Sequence, residues 1–104
     1  MVQVKILKNN EKISKITFLG HSMYDTVGKD IVCSAISSIM ITTINGIELL
    51  SKGDIKEKLL KDKVEIDVIY NNKIVDTLIL NMIMLLRDLE EQYPKNLKIE
   101  EEIC

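Results

Sequence analysis

Apolar residues in this chain keep two different periods, and the places where one gives way to the other leave few folds open. Val2, Val4 and Ile6 alternate with Gln3 and Lys5; after the polar stretch Asn9-Asn10-Glu11-Lys12, Ile16 and Phe18 alternate with Lys15 and Thr17. A period of two belongs to half-buried strands, so the chain opens on a hairpin. From Ile31 the spacing changes, and Val32, Ala35, Ile36, Ile39, Met40, Ile47 and Leu50 recur at steps of three and four, with Asp30 as a capping candidate and Gly53 just beyond the end. That is a long helix. Thr42, Thr43, Ile44 and Gly46 give its middle weak local propensity, so packing must hold it.

Val64, Ile66, Val68 and Tyr70 restore the strand period, whereas residues 54–61 before them are ambiguous between a short strand and a helical turn. Asn71 and Asn72 turn the chain into a second helix, Ile74 to Tyr93, which gains charge toward Arg87, Asp88, Glu90 and Glu91 and stops at Pro94. Leu97, Ile99 and Ile103 suggest a last strand. The order strand, strand, helix, strand, helix, strand, with 54–61 open, predicts an α+β fold in which a mainly antiparallel sheet is covered by two helices. The 104 residues fit a single domain, 1–104, without repeats or linkers.

A net charge of -2, with lysines scattered among acids, argues against a polyanion-binding surface, so nucleic acid is not expected as a direct ligand. Two cysteines make no disulfide framework, and Met1 leads straight into the first strand without the pattern of a signal peptide, which points to the cytosol. The most apolar segment, Leu78 to Leu86, is about half a membrane span and contains Asn81. No membrane partner is expected. The second helix is too apolar all round for one small sheet to cover, and its exposed face, with Leu78, Ile79, Met82 and Met84, predicts a homodimer.

The chemistry concentrates in residues 20–37. His21 is the only histidine, and it follows Gly20 at the end of a strand; a nine-residue stretch to Lys29, with Ser22, Asp25 and Gly28, lacks either period and reads as a loop. If Asp30 caps the helix, Cys33 is its third residue, where backbone N–H groups and the positive end of the macrodipole favour an anion and hence a thiolate. A histidine one loop away supplies a general base. Ser37 lies four residues on, along the same stripe, and the backbone N–H groups of Cys33 and Ser34 are candidates for holding an oxyanion. The bland readings stay beside these: Cys33 as a small core hydrophobe, His21 as a surface or capping residue, Ser37 as a serine bonded to the carbonyl four residues back, Asp30 as a helix cap only. One histidine and two distant cysteines do not form a metal-ligand spacing, and no cofactor is implied. Cys104, the last residue, reads as a tolerated surface thiol.

Gly20-His21 followed by Gly28-Lys29-Asp30-Ile31-Val32-Cys33-Ser34-Ala35-Ile36-Ser37 resembles the signature of the bacterial ribosomal-processing cysteine protease Prp family. The hairpin before the histidine, the long helix bearing the cysteine, the second helix ending in Glu91-Gln92-Tyr93-Pro94 and the short terminal strand extend the resemblance over nearly the whole chain. Ser22 and Ser34 stand where the family has alanine. The resemblance implies a cofactor-free homodimeric endopeptidase that removes an N-terminal extension from a large-subunit ribosomal protein precursor, number twenty-seven of the L series. It implies His21 as general base, Cys33 as nucleophile, Asp30 and Ser37 in support, and Ser22 to Lys29 as a mobile loop. Ser22, Met23, Tyr24 and Gly28 of that loop would meet the substrate, with an apolar, aromatic residue before the scissile bond beneath Met23 and Tyr24. Two other readings of the residues are a non-enzymatic ribosome-associated binding module and a thiol acyltransferase or redox protein using the same dyad.

Overall fold

The computed structural model describes residues 1–20 and 31–103, seven elements in the order ββαββαβ. Strands β1 (Val2–Asn9) and β2 (Lys12–Leu19) form the expected hairpin, with Val4 opposite Phe18 and Ile6 opposite Ile16. Asn10 and Glu11 close it with φ of 54° and 67°, the pair of left-handed conformations that a two-residue hairpin turn of the primed type requires. Helix α1 covers Ile31–Leu50, strand β3 Ile55–Leu59, strand β4 Lys63–Val68, helix α2 Lys73–Gln92 and strand β5 Leu97–Ile103. The ambiguous stretch 54–61 therefore carries an edge strand. Its pattern was weak because only Ile55 of β3 is buried.

The sheet runs β3-β4-β2-β1-β5; its pairs are antiparallel except β1 with β5, which is parallel, with Val2 opposite Leu97 and Val4 opposite Ile99. Connections β2-α1-β3 and β4-α2-β5 each return to a strand of the same direction. They move in opposite senses across the sheet from antiparallel strands, so the right-handed crossover rule puts both helices on one face. By the same topology α1 lies above β4 and α2 above β2 and β1. Consistently, α1 touches β3 and α2 touches β5.

Val4, Ile6, Ile16, Phe18, Val64, Ile66, Leu97 and Ile99 point from the sheet into this layer and are buried. From α1 come Val32, Ile36, Met40, Thr43, Ile44 and Ile47, and from α2 Val75, Ile79, Met82, Ile83 and Leu86, each set recurring at three- and four-residue steps. Thr43 satisfies its buried hydroxyl by donating to the Ile39 carbonyl at 2.9 Å. By length and composition α1 would suffice to cross a membrane, but its inner stripe is part of this core, as in a core helix of a globular fold.

Ile79 and Met82, expected on an outward face of the second helix, are instead 1% and 0% exposed. The correction follows from α2's central place above two strands with α1 beside it, which covers a wider stripe than one sheet alone would. The outward apolar residues of α2 are Ile74, Leu80, Met84 and Leu85.

The other face of the sheet is polar. Lys15 reaches Glu65 at 3.6 Å and Asp67 at 3.5 Å, Lys58 reaches Asp67 at 3.1 Å, and Lys63 reaches Glu65 at 3.6 Å. Burial pushes the Asp67 carboxyl upward, but the hydrogen bonds and charges of Lys58 and Lys15 overcome it and hold the group below the ordinary carboxylate range.

Candidate active site

Cys33 is the third residue of α1, half-buried and packed against the core. The N-terminal turn of a helix directs backbone N–H groups and a partial positive charge outward, so the thiol sits where an anion is favoured. Ser34, next in sequence, is exposed, and Ser37, one turn on, is half-buried on the same stripe as Cys33. His21, Ser22, Met23, Tyr24, Gly28 and Asp30 lie outside the described residues, as do the expected loop 22–29, the Asp30 cap and Cys104.

The described residues do fix where that segment departs and where it rejoins. Leu19 pairs with Lys63, and the Gly20 N–H donates to the Asp62 carbonyl at 3.3 Å, which ties the exit of β2 to the start of β4. Gly20 has φ of +75°, and a Cβ there would stand 2.8 Å from the Met1 carbonyl oxygen, so both conformation and space demand glycine. At its other end α1 is joined by a short turn to β3, whose Ile55 pairs with Val68 at the far end of the sheet. From Leu50 the helix runs back about 25 Å to Cys33, close to the length of an eight-residue strand. Gly20 and Cys33 therefore share one end of the sheet.

The flank on which Cys33 lies is also set. A Cβ on Gly46 would meet the Leu78 Cδ1 at 3.7 Å, so Gly46 marks the side of α1 that faces α2. Cys33 is thirteen residues before it, and at 3.6 residues per turn the two point about 140° apart. Cys33 and Ser37 thus look away from α2, toward β3. Among the described residues no group of histidine, cysteine and carboxylates could hold a metal ion.

The sequence matches the cysteine protease Prp family over residues 1–98. The chain belongs to that family. It is a cysteine protease, and the Prp fold extends over nearly all of it. An essential ribosomal processing protease Prp from S. aureus, solved with a covalently linked product peptide, superposes with a TM-score of 0.88 at 24% identity, covering 98% of this chain and 100% of that one. The same S. aureus protease with a substrate peptide gives a TM-score of 0.86 at 23% identity, again over 98% and 100%. SMU.848 from Streptococcus mutans gives 0.80 at 22% identity, over 100% of this chain and 96% of that one. At these identities the structures speak for the fold. No match was found among curated proteins.

Proposed function

We propose that this Prp-family chain is a ribosomal processing endopeptidase that removes the N-terminal extension of large-subunit ribosomal protein number twenty-seven, using Cys33 as nucleophile and His21 as general base. The observation that carries the reading is that Cys33 opens α1 at the same end of the sheet where Gly20 leads into His21. Eleven residues separate His21 from Cys33 in the sequence, more than enough chain to bring the two side chains together.

His21 takes the thiol proton, and the thiolate attacks the scissile carbonyl. Backbone N–H groups of the first helical turn, with Cys33 and Ser34 as candidates, hold the oxyanion, and the imidazolium protonates the leaving amine. Water then hydrolyses the thioester with His21 as base. Asp30 and Ser37 orient the pair, and Ser22, Met23, Tyr24 and Gly28 meet the substrate. No cofactor takes part in this chemistry. The outward apolar residues Ile74, Leu80, Met84 and Leu85 support a homodimer, and the cytoplasm, where ribosomal proteins mature, is its place of action.

The test is to incubate the protein with the full-length ribosomal precursor and read the new N-terminus by mass spectrometry. A single new terminus that Cys33→Ala fails to generate supports the assignment. An intact precursor with the wild-type protein rejects this substrate.

A further inference from the structure

We propose that the substrate binds as an extra strand on the outer edge of β3, beside the Cys33 flank of α1; this rests on the processing reading and specifies how its peptide is held. Among the described residues no strand pairs with that edge, since β3 is the outermost member of the sheet. The register shows which of its backbone groups face outward. The Leu60 N–H donates to the Lys63 carbonyl at 2.9 Å, and the Ile69 N–H to the Asp54 carbonyl at 2.8 Å. Residues 54, 56, 58 and 60 therefore turn their N–H and C=O groups toward β4, because hydrogen-bonded pairs alternate along an antiparallel ladder. Glu57 and Leu59 turn theirs outward.

The side chains of those same residues stand on the helix-bearing face. Leu59 pairs with Val64 and Glu57 with Ile66, and both partners are core. Yet Leu59 is 54% exposed, and Ile41, on the α1 flank that carries Cys33 and Ser37, is 43% exposed. Leu59 lies at the same end of the sheet as Cys33, through Val64, Phe18 and their neighbours Lys63 and Leu19. An extended peptide laid along this edge thus finds outward N–H and C=O groups at alternate residues, the exposed apolar side chains of Leu59 and Ile41 toward the helix-bearing face, and the thiol at the end of the track. Those are the elements by which sheet edges recognise extended peptides: main-chain bonds for affinity and alternate pockets for specificity. The occupant is an extended, substrate-derived strand with an apolar residue facing Leu59 and Ile41.

The experiment compares Glu57→Pro with Glu57→Ala. Proline removes one outward N–H while leaving the ladder to β4 intact, and alanine keeps it. Glu57→Pro is expected to give a kcat/KM for the ribosomal precursor about tenfold below that of Glu57→Ala, the weight of one hydrogen bond. The rate at which iodoacetamide alkylates Cys33 should be the same in all three proteins, which separates a lost binding edge from a damaged thiol. Equal kcat/KM for the two variants overturns the strand. If Glu57→Pro does not fold, amide exchange decides: in Cys33→Ala with a synthetic peptide of the precursor's extension, the Glu57 and Leu59 amides should slow, and unchanged rates overturn the proposal. Protection of those amides without peptide that fades on dilution would assign the edge to a second copy of the chain and also overturn it. A wild-type protein that leaves the precursor intact fails the processing reading instead, a result distinct from all of these.

Discussion

At the end of the sheet where α1 stops, side chains are consumed in holding the fold. Asn72 caps α2 by accepting the Val75 N–H at 2.9 Å, and its amide donates to Ser51 Oγ at 3.0 Å and Asp54 Oδ2 at 2.9 Å. Ser51 donates to Asp54, and Asn71 donates to the Ile13 carbonyl at 3.1 Å and to Asp76 at 3.0 Å. At the end where α1 begins, the described turns are closed by the main chain, Gly20 N–H to Asp62, Val2 N–H to Asn96 at 2.9 Å and Asn96 N–H to Tyr93 at 3.0 Å, with the Glu90 carboxylate accepting the Ile99 N–H at 2.7 Å nearby. The turns of one end are thus tied by asparagine, serine and aspartate side chains and the described turns of the other by main-chain bonds, and it is this second end that carries Cys33.

The comparison predicts that substitutions at the thiol end change catalysis and that those at the capped end change stability. Cys33→Ala should give the largest effect, a loss of precursor cleavage of about four orders of magnitude or more, as expected for removing a nucleophile. Its melting temperature should stay within a few degrees of wild type, because the change removes one sulfur from a half-buried site. Cleavage by this variant at the normal rate would eliminate the mechanism. His21→Ala should follow, with a loss of about 10²–10⁴-fold. It should also move the pH profile for alkylation of Cys33 upward, since a neighbouring imidazolium favours the thiolate. Identical profiles in the two proteins would separate His21 from the thiol.

How far the amino-acid pattern carried these inferences varied with burial. Strands β1, β2 and β4 were legible because alternate residues are core on one face and mostly polar or charged on the other. Strand β3 was not, since an edge strand with one buried residue writes no alternation. The parallel pairing of β5 with β1 was also beyond the pattern; Leu97 and Ile99 announce a strand, but not its neighbour or its direction. On α2 the apolar run was legible and its partition was not, because whether Ile79 and Met82 face in or out depends on where α1 lies. At the site, the place of Cys33 in the first turn could be read from the spacing. The flank it occupies could not, because only Gly46 against Leu78 orients the helix about its axis.

Gly20 joins the two kinds of effect. Gly20→Ala places a Cβ against the Met1 carbonyl in a left-handed conformation, so it should cost about 1–3 kcal/mol of stability. It should lower cleavage as well, because it displaces the point from which the chain reaches His21. A urea midpoint measured beside a cleavage assay resolves the two, and full activity in a destabilised variant would show that His21 does not depend on this exit. At the opposite end Asn72→Ala should lose about 1–2 kcal/mol from its helix cap while leaving kcat/KM unchanged well below the melting temperature. A catalytic defect in folded Asn72→Ala would contradict the division of labour between the ends.

The smallest effect should come from the polar face, on the side of the sheet away from the helices. Asp67 is held below the ordinary carboxylate range by Lys58 and Lys15 against the upward push of burial. A carboxyl whose pKa is lowered by folding adds stability above its unfolded value of about 3.9 and loses it as the pH falls through its folded value. The proton is then bound in both states and the ion pairs are gone. Asp67→Asn should therefore destabilise the protein at neutral pH by less than about 1 kcal/mol, since solvent and salt screen pairs of this kind. The difference from wild type should shrink as the pH drops below about 4 and again in about 1 M salt. Urea midpoints at several pH values measure it. A difference that persists in acid would mean that Asp67 acts through its shape or hydrogen bonds rather than its charge. A change in precursor cleavage would mean that the face opposite the helices takes part in substrate binding, against the strand proposed beside α1 and β3.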